Sequence, residues 1–280
     1  MFIRLFLIYC LHLNVLFADD KLVGFLKENV RNLNLTTLFE DYSQDPDIDI
    51  SVVKRMKLEK PKGWSAYLIE YKSTQKREYE TFYINKGVLT NRLFDIEAGK
   101  EIDNPIENTL RFNPKYYDDE HLISGDRDAK HRFVIFSDPL CTSCRKYVPE
   151  VVSYMKKYPK IFRVYHYYFP LYAMHSASAP LIKSAIAAKM KGEKNVFSSL
   201  YKIDLEVNEL DLIKITNTFN AANGTKIGIF DILDPKVQKH LKHDQYVAEE
   251  HLVVTTPTVF LDGKKDPTKT LYKSIKLTAK

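Results

Sequence analysis

The chain has 280 residues, of which 45% are hydrophobic and 12% aromatic, with three cysteines and a formal net charge of +6. This apolar content excludes an intrinsically disordered protein, and the 9 glycines exclude a collagen-like or low-complexity one. Three cysteines cannot cross-link a scaffold of this length, so burial of apolar side chains must supply the core. The 42 basic and 36 acidic residues include no basic block, and no nucleic-acid partner is expected.

Residues 1–18 have the pattern of a secretory signal peptide. One early positive charge, Arg4, precedes a mostly apolar stretch that ends at the small residue Ala18. An uncleaved anchor is an alternative, although the stretch is short for a membrane span. A lipid-modified Cys10 is another, which the bulky Tyr9 disfavours. We therefore expect an exported protein whose signal peptide is removed.

Residues 19–112 are expected to form a small α+β domain. Apolar residues at helical spacing between Lys21 and Asn34 predict one helix. Aromatic and β-branched residues accumulate in three segments that are predicted to be strands, at 65–72, 78–84 and 88–94, with a hairpin turn at 85–87. This region contains no cysteine and no histidine, so it is assigned no catalytic chemistry.

A polar stretch at 113–130 is predicted to be a linker, followed by a second domain at 131–280. The predicted elements of this domain are a strand at 132–136, a helix from 141, a strand at 161–168, helices over about 174–250, a strand at 258–261 and a last helix over 269–277. Strand, helix and strand in that order indicate a βαβ unit. The whole chain is assigned to the α+β class.

Removal of residues 1–18 leaves Cys141 and Cys144 as the remaining cysteines. A disulfide across so short a loop adds little stability, because closing the loop removes little entropy, so the pair is expected to react. Cys141 lies at the predicted helix start, where unpaired backbone N–H groups favour a thiolate, and is assigned as the nucleophile. Cys144, one turn later, is assigned as the resolving thiol. The intervening Thr142 and Ser143 contribute to the balance between thiolate and disulfide.

Two alternatives to redox chemistry are a zinc site and a structural disulfide. Tetrahedral zinc needs four ligands, and the mature chain would have no second cysteine pair. His240 and His243 lie one helical turn apart, but the neighbouring Lys239 and Lys242 indicate a solvent-exposed helix face. No metal and no other cofactor are therefore expected.

A second motif is Thr256-Pro257, which stands just before a predicted strand. A proline at this position interrupts the hydrogen-bond ladder of the sheet and leaves the backbone of Thr256 accessible. An extended substrate peptide could pair with that backbone by strand addition. Thr256 and Pro257 are therefore predicted to bind substrate.

These two motifs resemble the thioredoxin-fold Dsb proteins of bacterial export compartments, and the run Asp138–Cys141 is most similar to their DsbC and DsbG branch. The resemblance implies a thioredoxin fold with a DsbA-like helical insertion at about 174–250, and it implies that Pro257 is a cis-proline. Residues 82–99 are similar to the dimerisation domain of DsbC-type isomerases. This similarity implies a cystatin-like N-terminal domain and a homodimer.

The resemblance further implies an exported thiol–disulfide oxidoreductase in the periplasm of a Gram-negative bacterium. Its clients would be unfolded or misoxidised secreted proteins, which it would act on by disulfide exchange or isomerisation. A membrane protein of DsbD or DsbB type would set its redox state. A dithiol oxidase, a non-catalytic periplasmic chaperone and a metal-delivery thiol protein stay open as alternatives. His175 is interpreted as a packed or capping histidine.

Overall fold

The computed structural model describes residues 19–29, 48–73, 77–102, 104–193 and 196–277. The chain divides into two compact units, Met1–Thr109 and Leu110–Lys280. The predicted signal peptide lies outside the described residues. In the part of the chain that the structure describes, no helix is both long enough and apolar enough to span a bilayer.

The described residues of the N-terminal unit form an antiparallel sheet, a two-stranded ribbon and two helices. Its first helix, α1, covers residues 19–29. The main sheet has four strands in sequence order, β1 (Asp49–Lys57), β2 (Ser65–Lys72), β3 (Arg77–Asn85) and β4 (Val88–Thr90). A two-stranded ribbon, β5 (Phe94–Asp95) and β6 (Lys100–Glu101), and the short helix α2 (Pro105–Thr109) follow.

The apolar core of this unit lies between helix α1 and the sheet. Leu22 and Leu26 of α1 are buried in one apolar cluster with side chains of the sheet, Ile50, Tyr67, Ile69, Tyr71 and Phe82. The predicted turn at 85–87 is present, with φ values of 47° and 82° at Lys86 and Gly87, the left-handed conformations of a tight hairpin. The strand β1 was not predicted, because its second half carries three basic residues and the whole strand has no aromatic side chain.

The C-terminal unit is built on a mixed five-stranded sheet. Its strands are β7 (Leu122–Ser124), β8 (His131–Ser137), β9 (Phe162–Tyr168), β10 (Thr258–Leu261) and β11 (Lys264–Lys265), in the order β11-β10-β8-β9-β7. Helix α3 (Thr142–Lys156) connects β8 to β9, which run parallel, and the other pairs are antiparallel. The predicted βαβ unit is therefore confirmed.

In the described residues, five helices lie between β9 and β10. They are α4 (Ser178–Met190), α5 (Val196–Leu200), α6 (Leu212–Asn223), α7 (Ile229–Leu233) and α8 (Pro235–Glu250). Asp211 caps α6 by accepting backbone N–H groups, and Gly224 ends it in a left-handed conformation with φ 66°. The helices lie within the segment predicted for the insertion. The last predicted helix is instead a short 3₁₀ turn, Leu271–Ser274.

The polar stretch at 113–130 is not a linker but part of the C-terminal unit. Its segment β7 pairs with β9 at the edge of the sheet. Tyr116 and Ala129 are buried, and the preceding Phe112 packs against the rings of Phe136 and Phe260. The composition of the stretch was misleading, because a few apolar and aromatic side chains anchor it while its many polar residues form turns.

Candidate active site

A tight turn brings Cys141 to the start of α3. Strand β8 ends at Ser137, and the side chain of Asp138 accepts the N–H of Leu140 at 2.7 Å. The carbonyl of Asp138 accepts the N–H of Cys141 at 3.2 Å. Cys141 is the N-cap residue of the helix and has extended backbone angles, φ −66° and ψ 122°. The position predicted from the helical spacing is confirmed.

The two thiols differ in accessibility. Cys141 is partly exposed, whereas Cys144 is completely buried in the main apolar core of the unit. Both are free thiols in this structure. Thr142 and Ser143, between them, are exposed on the first turn of the helix. The accessible cysteine is therefore the one predicted to be the nucleophile, and the buried one is the predicted resolving thiol.

The electrostatic environment separates the pair further. A hydrogen bond from the thiol of Cys144 lowers the pKa of Cys141 to about 5, with further stabilisation from Thr256 and from the backbone N–H groups of Cys144 and Ser143. These contributions exceed the effect of partial burial, which acts in the opposite direction. Burial and the hydrogen bond with Cys141 raise the pKa of Cys144 well above its ordinary range. At neutral pH the arrangement places a thiolate at the surface and a thiol beneath it.

The predicted cis-proline lies beside this thiolate. The peptide bond between Thr256 and Pro257 is cis. Strand β10 runs antiparallel to β8 with Thr258 opposite Phe136, so the segment before β10 lies next to the loop that follows β8. As a result, the sulfur of Cys141 lies 3.6 Å from the carbonyl oxygen of Thr256, to which it can donate only when it is protonated. The structure thus brings together the two motifs that the sequence predicts to cooperate.

A buried carboxylate ties the active-site turn to the loop after β9. Asp138 is completely buried, and its Oδ2 accepts the N–H of Leu171 at 2.8 Å. The same oxygen lies 3.1 Å from Nδ1 of His175. His175 is therefore packed against the active-site turn. It contacts Asp138, which precedes Cys141 by three positions. Arg145 of α3 also holds the active-site turn, by donating to the carbonyl of Pro139 at 3.1 Å.

A buried polar network adjoins the end of β8 and was missed by the sequence analysis. The hydroxyl of Ser137 lies 2.7 Å from Nε2 of His166 and 2.5 Å from the hydroxyl of Tyr201. Burial lowers the pKa of His166 well below its ordinary value and raises that of Tyr201. The three residues share no sequence motif, and up to 64 positions separate them, so no local pattern could reveal the network.

The interpretation of His240 as a residue of a solvent-exposed face is wrong. Its exposed fraction is only 9%, and its Nδ1 lies 2.6 Å from a carboxylate oxygen of Glu120. Together with His121 and Asp244 it forms a group of side chains that could hold a metal ion, without a contribution from either cysteine. The zinc alternative weighed from the sequence paired His240 with His243, which lies outside this group.

The family comparison decides what this fold is. The model of the family described as Thioredoxin matches residues 118–276, more than half of the chain, and the match spans both cysteines and Pro257. The chain belongs to the thioredoxin family. This membership confirms the predicted thioredoxin fold of the C-terminal unit. The assignment to the DsbC and DsbG branch stays a prediction.

Several solved structures are similar to this thioredoxin-family chain. The catalytic domain of Proteus mirabilis ScsC is 21% identical over 54% of this chain and 85% of that chain, with a TM-score of 0.42. Pseudomonas aeruginosa DsbA2 is 17% identical over 54% of this chain and 90% of that chain, with a TM-score of 0.39. Oxidised BdbD from Bacillus subtilis is 14% identical over 54% of this chain and 85% of that chain, with a TM-score of 0.43. No curated protein matches the sequence.

Proposed function

We propose that the protein is an exported thiol–disulfide oxidoreductase that exchanges or isomerises disulfides in secreted proteins through Cys141 and Cys144. The observation that carries the proposal is the contrast between the two sulfurs. Cys141 is accessible and has its pKa lowered to about 5, while Cys144 is buried and has its pKa raised. A structural disulfide has no need of such a contrast, whereas a nucleophile and its resolving thiol require it.

In the first step the Cys141 thiolate attacks one sulfur of a client disulfide. The client S–S bond breaks as the mixed disulfide with Cys141 forms, and the departing client sulfur leaves as a thiolate that takes a proton from water. At pH 7 the low pKa leaves roughly a hundred thiolates for each thiol at Cys141. The attack therefore needs no separate base.

Two outcomes follow from the mixed disulfide. A second thiolate of the client can attack the client sulfur, which restores the Cys141 thiolate and leaves a rearranged client with no net oxidation. Alternatively, Cys144 loses its proton and attacks the sulfur of Cys141, which closes the Cys141–Cys144 disulfide. The client thiolate then leaves, and the client has gained two electrons that the protein has lost.

The loop at Thr256 and Pro257 is the proposed client-binding element. The carbonyl of Thr256 lies within hydrogen-bonding distance of the nucleophilic sulfur, so a peptide that pairs with this backbone would have its own sulfur close to Cys141. The interaction would use backbone groups, which every client offers. The protein would therefore accept many different unfolded clients.

The direction of the reaction has a second candidate, a dithiol oxidase that donates its disulfide. The low pKa of Cys141 favours this alternative, because stabilising the thiolate stabilises the reduced protein and makes its disulfide a stronger oxidant. The redox state of the pair in the cell separates the two functions. A mostly reduced pair supports isomerisation, and a mostly oxidised pair supports oxidation.

The remaining parts of the proposal concern location and assembly. We propose a periplasmic protein, exported by residues 1–18, whose N-terminal unit forms a homodimer. The support is the charge and apolar pattern of residues 1–18 and the similarity of residues 82–99 to a dimerisation domain. A membrane redox partner of DsbD or DsbB type would restore the working redox state. Light scattering of the purified protein should give twice the mass of one chain.

Turnover of a ribonuclease with scrambled disulfides tests the activity. Cys141→Ala should reduce reactivation to the uncatalysed rate, because it removes the nucleophile. Cys144→Ala should still form mixed disulfides but release them slowly, so that covalent complexes accumulate on non-reducing gels. Lys146→Ala, on the exposed side of α3, is the matched control and should keep full activity. Unchanged reactivation by Cys141→Ala would refute the proposed function.

A further inference from the structure

We propose that His121, His240 and Asp244 form a binding site for a divalent first-row transition-metal ion such as Zn²⁺, separate from the cysteine pair. His240 and Asp244 lie one turn apart on α8, and His121 immediately precedes β7. The site would therefore connect the helical insertion to the edge of the sheet.

The donor atoms already converge. Nε2 of His121 lies 2.8 Å from Oδ1 of Asp244, and Nε2 of His240 lies 3.8 Å from the same oxygen. One donor atom from each residue lies within 4.8 Å of the other two. A tetrahedral zinc ion with bonds of about 2.1 Å would separate its donors by about 3.4 Å. Changes of roughly half an ångström would therefore bring each histidine nitrogen to this distance from Oδ1 of Asp244.

Each donor is held in place by a further contact. Nδ1 of His121 lies 2.7 Å from a carboxylate oxygen of Asp118, and Nδ1 of His240 lies 2.6 Å from a carboxylate oxygen of Glu120. Carboxylates in these positions fix the ring orientation of metal-binding histidines and increase their basicity. Oδ2 of Asp244 accepts the backbone N–H of Tyr168 at 2.8 Å, which orients Oδ1 towards both imidazoles.

The charge of the cluster favours a cation at its centre. Three carboxylates surround the two imidazoles, and that of Asp244 is completely buried. When His121 donates its Nδ1–H to Asp118, the 2.8 Å contact of its Nε2 with Oδ1 of Asp244 requires a cation between the two atoms, which is either a proton or a metal ion. The nearby Lys189 donates to the backbone carbonyl of Glu120. A divalent ion would bond both nitrogens and the oxygen at once.

An ion can reach these side chains. A cavity of about 220 Å³ is lined by Glu120, His121 and His240, among other residues. It provides a route of entry and room for a water molecule in the fourth coordination position, as in zinc sites with three protein ligands. Nitrogen and oxygen donors suit Zn²⁺, whereas Cu⁺ would prefer the thiolates of the cysteine pair.

Zinc titration calorimetry tests the site on tag-free protein in which Cys141→Ser and Cys144→Ser remove the competing thiols. One Zn²⁺ per chain should bind. His240→Asn should weaken the affinity by at least a hundredfold, because it removes a ligand. His243→Asn changes a histidine one turn away on the same helix that is outside the ligand group, and it should leave the affinity unchanged. No zinc binding, or equal affinity in the His240 and His243 variants, would overturn the proposal.

A milder substitution tests the site even if removal of a ligand unfolds the protein. Glu120→Gln keeps all three ligands and replaces only the carboxylate that orients His240, so the affinity should fall about tenfold to a hundredfold with the stoichiometry unchanged. Circular dichroism should show the same fold in every variant. Unchanged zinc affinity in a folded Glu120→Gln variant would contradict the proposed role of that carboxylate. Because the background lacks both thiols, the result is independent of the redox function.

Discussion

The sulfur of Cys141 and the carbonyl oxygen of Thr256 lie 3.6 Å apart, although 115 positions separate the two residues. The antiparallel pairing of β10 with β8 brings them together. The partly exposed residues Cys141 and Thr256 are thus neighbours in the folded chain. In the proposed function this contact relates the reactivity of Cys141 to the binding of a peptide client.

The reactivity of Cys141 should follow the ionisation of a low-pKa thiol. We expect the rate of alkylation by iodoacetamide to reach half its maximum near pH 5, because the pKa of Cys141 is lowered to about 5. In Cys144→Ala the midpoint should move to higher pH, since the hydrogen bond from Cys144 is the largest stabilising contribution to the thiolate. A midpoint near pH 9 in the unmodified protein would contradict this assignment.

The stability of the reduced protein should depend on the same ionisation. The folded pKa of about 5 lies below the ordinary value of 9.0, so the unfolded chain binds the proton more tightly. The resulting stabilisation is fully present above pH 9 and is lost as the pH falls towards 5. Urea titrations should show this loss in reduced protein and not in Cys141→Ala. The disulfide form, which has no titrating thiol, is a second control and should also lack it.

Asp138 should be required for the stability of the active-site turn. Asp138→Ala leaves the buried N–H group of Leu140 and the partly buried N–H group of Leu171 without their acceptor, which should cost about 2–4 kcal/mol of the free energy of unfolding. Asp119→Ala removes a carboxylate whose side chain is 64% exposed and should cost less than about 0.5 kcal/mol. Equal urea midpoints for the two variants would exclude the proposed role of Asp138.

Gly125 should tolerate no side chain. A Cβ at this position would lie 2.0 Å from the carbonyl oxygen of Phe162, and the residue has a φ of 92°. Gly125→Ala should therefore destabilise the protein by about 3 kcal/mol or more, from both the clash and the left-handed backbone. Gly192 has a similar φ of 87° but nothing within 4 Å of the added Cβ. Gly192→Ala should cost only about 1 kcal/mol, and thermal unfolding would measure the difference.

Phe112 should belong to the core of the C-terminal unit. Its side chain is 2% exposed and packs on the rings of Phe136 and His251. Phe112→Ala should therefore destabilise this unit by about 3–5 kcal/mol. Phe94→Ala removes a ring that is 58% exposed and should have an effect below about 1 kcal/mol. A small effect of Phe112→Ala would support a domain limit after residue 112, as the sequence analysis expected.

The elements of the site that were predictable depend on local patterns. The helical spacing after Cys141 placed that residue at a helix start, and the proline next to a β-rich segment marked the second motif. The strand, helix and strand around them follow from periodicity and turn residues. These features need only the residues within a few positions, which is the range over which a pattern in one sequence carries information.

The elements that were not predictable depend on contacts between distant segments. Asp138 resembles an ordinary turn residue in the sequence, yet it binds the loop at Leu171 and His175. His240 stands between lysines, yet the packing of α8 buries it against Glu120. The linker prediction failed for the same reason, because the anchoring rings of Phe112 and Tyr116 meet partners more than a hundred positions away.

The sequence by itself identified the cysteine pair at a helix start and the thioredoxin-like βαβ unit, because spacing, turn residues and helix-end chemistry are local properties. Only the tertiary structure decided how far the pKa values of Cys141 and Cys144 diverge and which side chains surround His121. Those properties arise from desolvation and from hydrogen bonds at distances near 3 Å, and both depend on which distant segments the folded chain brings into contact.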